Sequence, residues 1–273
     1  CRYLEADGIE TTYLPVSEEG LVDPADVERA IRPTTVLISI MHANNEVGTV
    51  QPIAEISRIA RKHGIVMHTD AAQSVGKIPT DVDQLKVDLL SVAGHKVYAP
   101  KGIGALYVRP PLEPEKFCYG AGQERGWRAG TENILEIVGL GKACEIAQRD
   151  LEKNMARMKF LRDRLHEGLL GRLSGIRLNG HIQHRLPNTL SISFKGLEAN
   201  RILEEIGLEV AASAGAACHS DSVEISHVLR AMGTPLEWAK GTIRFSVGRM
   251  TTQAEIDKTI RVVADAVKKF LNP

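Results

Sequence analysis

Ile65-Val66-Met67-His68-Thr69-Asp70-Ala71-Ala72-Gln73, followed by Leu89-Leu90-Ser91-Val92-Ala93-Gly94-His95-Lys96, is the stretch that decides the architecture. Ile65–His68 and Leu89–Val92 are short apolar runs of strand length. The first ends in Thr69-Asp70 and the second in the turn Gly94-His95-Lys96. Apolar runs this short, bounded by polar and glycine residues, read as buried strands. Upstream, Thr35–Met41 (TVLISIM) reads as another buried strand, and downstream Ile103–Val108 as a fourth. Between the strands, Pro52–Lys62 carries Ile53, Ile56, Ile59 and Ala60 at helical spacing, with Pro52 suited to a first turn and Gly64 to a C-terminal cap. Strands alternating with helices predict a mainly parallel sheet in an α/β domain. Ligands of such sheets gather at the carboxyl ends of the strands. Asn45, Asp70 and Lys96 each fall just after a predicted strand.

The second half changes character. Leu135–Leu170 is long and helical, with Ile146, Leu151, Met155, Met158, Leu161 and Leu165 as its apolar positions. Strands are expected at Asn188–Phe194, Leu208–Ala211 and Thr242–Val247. Helices are expected at Ala199–Ile206, Ile225–Met232 and Gln253–Leu271. The chain thus divides into a large α/β domain over 1–133, a linking helix over 134–170 and a smaller α+β domain over 171–273. It begins at Cys1 without methionine, as though already inside a strand-and-helix unit, which reads as a fragment or a processed chain.

Lys+Arg and Asp+Glu are equal at 34 each, so no basic excess points to nucleic acid or an anionic membrane. No apolar run approaches the roughly 18 residues needed to span a bilayer. Cys1, Cys118, Cys144 and Cys218 are widely spaced and form no C-x-x-C pair, which disfavours a zinc site or a disulfide framework and favours a reducing, cytosolic or organellar compartment. Cys118 and Cys144 lie among core-like neighbours. His42 and His68 adjoin the strand ends and read as packing groups. His63, His166, His181, His184 and His227 fall on helix faces or loops.

Asp70 and Lys96 together meet the two main requirements of pyridoxal 5'-phosphate (PLP): an amine for a Schiff base with the cofactor aldehyde, and a carboxylate to keep the pyridine nitrogen protonated. Gln73, three residues beyond Asp70, falls within reach of the ring hydroxyl. Taken singly, an aspartate after a strand is more often a helix cap and a lysine a solvated surface residue. Cys218 lies in Ser213-Ala214-Gly215-Ala216-Ala217-Cys218-His219-Ser220-Asp221, a small-residue stretch that reads as a mobile loop able to bring a thiol to a substrate. The commoner fate of a free cysteine is burial as a small hydrophobe, for which Gly and Ala neighbours offer little cover.

The strings themselves narrow these readings. His68-Thr69-Asp70-Ala71-Ala72-Gln73 with Gly94-His95-Lys96 resembles the cofactor site of class V aminotransferase-fold (fold type I) enzymes. The likeness continues through Met41–Gly48, Gly122–Asn133, Arg185–Thr189 and Ile243–Arg249, in family order. The nearest likeness is to the NifS-like cysteine desulfurase and selenocysteine lyase group. That resemblance implies Lys96 as the Schiff-base lysine, Asp70 as partner of the pyridinium nitrogen and Gln73 as partner of the ring hydroxyl. It places Asn45 near ring and substrate, and His95 near the phosphate and the lysine, with a part in catalysis. Thr131 would reach the phosphate of a neighbouring subunit, which implies a homodimer. Arg244 would clamp the substrate carboxylate, and Cys218 would take sulfur as a persulfide. Ala93 departs from the family, which often has serine there.

The implied reaction converts L-cysteine to L-alanine and passes sulfur to an acceptor protein, as iron–sulfur cluster synthesis requires. Selenocysteine lyase is an alternative, since Gly215–Asp221 resembles that group's loop. Transamination or epimerisation needs no cysteine at 218. In this family a Gly/Thr phosphate loop and a ring-stacking histidine would precede position 1, so a catalytically incomplete assembly partner is another reading.

Overall fold

The computed structural model describes residues 1–219 and 222–271, the side chains of 216–219 and 222–224 excepted. Two short helices come first, α1 (Arg2–Glu5) and α2 (Pro24–Ala30). Asp23 caps α2 by accepting from the Ala25 amide at 2.8 Å, and Pro24 occupies the first turn, where its missing N–H costs nothing. Strand β1 (Leu37–Ser39) follows, then α3 (Ile53–Lys62), β2 (Val66–Asp70), α4 (Val82–Leu85), β3 (Leu89–Ala93) and β4 (Gly104–Val108). β1, β2 and β3 are parallel neighbours, and β4 closes the sheet antiparallel to β3. Ile53, Ile56 and Ala60 of α3 are buried with Val27, Ile38, Met67 and Leu90, so one apolar helix stripe covers the sheet.

Two expectations change here. Thr35–Met41 is not a fully buried strand: only Leu37–Ser39 pairs, at the sheet edge, and Ile38 alone of the three is buried. The expected helix over 134–170 is two, α5 (Ile134–Arg149) and α6 (Leu151–Leu170). They meet at Asp150, whose backbone (φ −104°, ψ 10°) leaves the helical region while its carboxylate pairs with Arg149 at 2.7 Å.

Strands β5 (Ile176–Asn179) and β6 (Thr189–Phe194) come next, followed by α7 (Ala199–Ile206) and three short strands. These are β7 (Ser213–Ala214), β8 (Ala216–His219) and β9 (Ser222–Ile225). Helices α8 (His227–Ala231) and α9 (Leu236–Ala239), strand β10 (Thr242–Ser246) and helix α10 (Gln253–Leu271) complete the chain. β5, β6, β10 and β7, in that order, form a second, wholly antiparallel sheet. Leu190, Ile192, Phe194 and Ile243 from that sheet share a buried core with Leu161 and Leu165 of α6, Ile202 of α7, and Val263 and Val267 of α10. The alternate residues of β6 are polar and also buried. Their hydroxyls are satisfied laterally: Asn179 Nδ2 donates to Ser193 Oγ at 2.8 Å, and Ser193 Oγ lies 2.7 Å from Thr242 Oγ1.

Leu208–Ala211, expected as a strand, is not one. The Glu209 and Val210 amides turn back to the Ile206 carbonyl, Leu208 stands fully exposed, and pairing with β10 begins only at Ser213. The stretch around Cys218, expected as a loop, has backbone pairing between β8 and β9, with Cys218 opposite Val223. Its turn and the Cys218 side chain lie outside the described residues.

Gly241 enters β10 where no side chain fits: a Cβ there would lie 2.1 Å from the Phe194 carbonyl oxygen and 2.9 Å from that of Leu197. Both obstacles are backbone. Gly241→Ala should therefore cost about 3 kcal/mol, the upper range for overpacking, read as a lower urea midpoint with an unchanged slope.

Candidate active site

The parallel pairing brings three strand ends to one edge. The His42 amide, just past β1, donates to the Asp70 carbonyl at 2.8 Å, and the Ala71 amide to that of Ser91 at 3.0 Å. The segments bearing Asn45, Asp70 and Lys96 thus leave adjacent strands of one sheet. His68 lies between Ser39 Oγ (2.8 Å) and Ser91 Oγ (2.9 Å), lacing β1 and β3 together across β2. Burial lowers its basicity, with the Asp70 charge opposing. His42 is buried against Ser74 Oγ at 3.0 Å, and burial pushes its pKa down to about 4, so it packs as a neutral ring. Both histidines support the site from below.

Asp70 is exposed. One carboxylate oxygen accepts from the Ala72 amide at 2.8 Å, and the other makes no hydrogen bond among the described residues. Lys96 and His95 are exposed on the 3-10 turn Gly94–Val97, whose first amide is fixed to the Ile103 carbonyl at 3.0 Å. Two neighbours unforeseen in the sequence hold this turn. Lys77 is partly buried, and its Nζ donates to the carbonyls of Gln73 (3.1 Å) and Lys96 (3.4 Å), joining the segment after Asp70 to the lysine turn. Burial, and then the Lys96 charge, bring its pKa down to about 8. Tyr98, in the left-handed region at φ 68°, accepts from the Arg249 amide at 3.1 Å while that guanidinium lies 4.2 Å over its ring. The sequence signal for Lys77 is its place in the compact run Val75-Gly76-Lys77-Ile78, where a solvated lysine is unexpected.

Arg244 of β10 crosses from the second sheet to this edge. Nη1 donates to the Asn45 carbonyl at 2.9 Å and Nη2 to Ser213 Oγ at 3.2 Å, while Nε is buried with no partner among the described residues. Asn45 and Arg244 are therefore brought together. Thr131 is exposed on the segment before α5 and makes no hydrogen bond to the Asp70–Lys96 edge among the described residues. Cys118 and Cys144 are partly buried free thiols, that of Cys144 raised in pKa by burial.

The donor set fits PLP. A carboxylate and an amine stand on neighbouring strand ends, both exposed and neither in an ion pair among the described residues, with the Gln73 segment tied between them. Ala93 offers no hydroxyl, which removes one possible phosphate donor. The aminotransferase class-V model matches residues 2–259. The chain belongs to that family.

Over 271 residues the chain is 48% identical to the cysteine desulfurase IscS of Dictyoglomus turgidum, covering 99% of this chain and 69% of that protein. A solved structure described as a NifS-like protein superposes with a TM-score of 0.90 at 35% identity, covering 98% of this chain and 71% of the other. A structure of SspA in complex with cysteine aligns at 38% identity and a TM-score of 0.75, covering 92% of this chain and 70% of that one. The match to an α/β PLP fold of type I agrees with the two sheets seen here. Among the described residues no helix is long and apolar enough to cross a membrane.

Lys77 gives the site a pH signature. Its folded pKa (about 8) lies below the ordinary lysine value of 10.5, so the unfolded chain binds the extra proton between those values. Stability should rise with pH across that window and be lost as pH falls through it. Denaturant midpoints taken from pH 8 to 10.5 should show this rise, and Lys77→Met should flatten it.

Proposed function

We propose that this chain carries the catalytic centre of a PLP-dependent cysteine desulfurase, taking sulfur from L-cysteine onto Cys218 and releasing L-alanine. The observation that carries this reading is the register of β10 with β7. Arg244 pairs with Ser213, bonds the Ser213 hydroxyl and holds the Asn45 carbonyl. Strand β8, which contains Cys218, begins only two residues beyond β7. One short segment therefore links the Arg244 guanidinium, the edge bearing Asp70 and Lys96, and the strand that contains Cys218. The chain's relatives named cysteine desulfurase and the cysteine-bound SspA structure support the same substrate.

The residues divide the work as follows. Arg244, whose planar fork suits a carboxylate, orients the amino acid with Asn45 beside it. Asp70 holds the proton on the cofactor's ring nitrogen, and Gln73 bonds the ring hydroxyl. His95 and Thr131 belong to the phosphate side, Thr131 reaching that of a second copy. Bound PLP supplies the electron sink that allows the substrate Cα–H bond to break. Lys96 Nζ takes the Cα proton and later returns it. The Cys218 thiolate attacks the substrate sulfur; a sulfur–sulfur bond forms as the Cβ–S bond breaks, and the electron pair and a proton end on Cβ. L-Cysteine plus thiol thus gives L-alanine plus persulfide, with no outside oxidant. A sulfur-acceptor protein in a reducing compartment would then collect the sulfur.

A homodimer fits the exposed apolar residues beside Thr131. Phe117, Tyr119 and Leu135 are each more than 85% exposed, a concentration that marks an interaction surface. Leu135→Glu should lower the mass measured by light scattering from that of a dimer to that of a monomer.

The central test uses the PLP-loaded protein with L-cysteine and, in parallel, L-selenocysteine. Wild type should form alanine and one persulfide at Cys218. Lys96→Ala should lose the cofactor's visible absorbance band and all turnover. Cys218→Ala should keep the band and lose sulfur transfer from cysteine by at least about a hundredfold. Keto acid in place of alanine would overturn the reading.

A further inference from the structure

Position 46 lies in the loop after β1, next to the Asn45 carbonyl that receives Arg244. Its backbone is fixed, because Asn44 Oδ1 accepts from the Glu46 amide at 2.8 Å and from the Val47 amide at 3.0 Å. Its carboxylate reaches 180 residues along the chain and accepts the Ser226 hydroxyl. Glu46 forms no ion pair among the described residues, so this contact is its evident purpose.

Ser226 is the root of the hairpin made by β8 and β9. Its amide donates to the Gly215 carbonyl at 3.0 Å, and the Gly215 amide donates to that of Thr242 in β10 at 2.7 Å. Gly215 has no room to shift toward the sheet, since even a Cβ would lie 2.9 Å from Thr242 Cγ2 and 3.2 Å from Leu229 Cδ1. Ser226 Oγ also accepts from the Val228 amide at 3.0 Å, capping α8, and so donates its own hydrogen to Glu46. Residues 45 and 46 therefore carry, side by side, the anchor of Arg244 and the anchor of the hairpin root.

We propose that Glu46 is a positioning residue: by clasping Ser226 it sets where the Cys218 hairpin leaves the second sheet relative to the Arg244 guanidinium. This rests on the desulfurase reading above. Cys218 follows the Gly215 root by three residues, a lever of roughly 10 Å of extended chain. Sulfur transfer needs the reacting atoms within about 3.5 Å, where a misplacement of about 1 Å costs up to a hundredfold in rate. A loosened root should therefore slow transfer without weakening substrate capture, because Arg244 keeps its bonds to Asn45 and Ser213.

Glu46→Ala and Glu46→Gln in the PLP-loaded protein test this, the second retaining an acceptor for Ser226. Ser226→Ala is the poorer probe because it also removes the α8 cap. Glu46→Ala should lower kcat for L-cysteine by at least about tenfold with KM within twofold. It should also speed amide hydrogen exchange at Gly215 and Ser226. Glu46→Gln should restore both measures to near wild type. Unchanged exchange in Glu46→Ala, a raised KM with intact kcat, or a glutamine variant as impaired as the alanine one overturns the proposal. If wild type forms no persulfide, the desulfurase reading falls while the exchange comparison still decides whether the clasp exists.

Discussion

Everything at this site depends on the register in which β2 lies beside β3. Side chains alternate across a strand, so a slip of one residue would turn Asp70 to the other face of the sheet and Thr69 into its place. The register Asp70↔Ser91 is held from both sides. Met67 and Leu90 are buried on the core face, and the Thr69 hydroxyl donates to the Ile40 carbonyl at 2.8 Å. His68 bonds Ser39 and Ser91 at once, which only one alignment of three strands allows. At the opposite end the Met67 amide donates to Asp88 Oδ2 at 2.9 Å. The carboxylate's position is thus a consequence of packing and pairing one residue before it.

The second sheet contributes through a single crossing side chain. Arg244 is anchored in β10 between β6 and β7, beside a buried polar chain in which Asn179 of β5 donates to Ser193 of β6 and Ser193 meets Thr242 of β10. That interior network leaves the guanidinium free to spend its donors outward on Asn45 and Ser213. One hydrogen on each Nη remains for a ligand, and Nε is buried without a partner among the described residues. An unsatisfied buried donor costs about 1–3 kcal/mol, so this arginine is held where it is by its surroundings, and an acceptor beside it would relieve the cost.

Much of this was legible in the sequence, for reasons specific to the residues. The runs at 65–70 and 89–93 are apolar, short and closed by polar groups, so both strands and the placement of Asp70 and Lys96 at their ends followed. Gln253–Leu271 carries a clean helical stripe and forms α10 with those bounds. Other features depended on contacts the chain order hides. Leu208–Ala211 has strand-like composition, but the turn after α7 spends its amides on the Ile206 carbonyl. The long helix divides at Asp150, whose backbone leaves the helical region while its carboxylate pairs with Arg149. Lys77 and Ser226 are given work only by the approach of the Lys96 turn and of Glu46. The family strings name the residues expected to meet the cofactor, whereas Lys77, Tyr98 and Ser226, which hold the lysine turn and the hairpin root, lie outside them.

The charge balance at the strand ends follows from the same geometry. Lys77 is taken partly out of water with two carbonyl oxygens and, among the described residues, no carboxylate as partners, an arrangement that lowers its pKa and costs the folded state. Its like-charged neighbour is Lys96, and Arg249 stacks on Tyr98 two residues further on. Against these cations stands the exposed carboxylate of Asp70. Such an imbalance repels itself, and an anionic ligand relieves it. A cofactor bearing a phosphate as well as an aldehyde answers both the charge and the chemistry of this edge. With Ala93 offering no hydroxyl, the weight of holding that phosphate shifts toward cations and backbone amides.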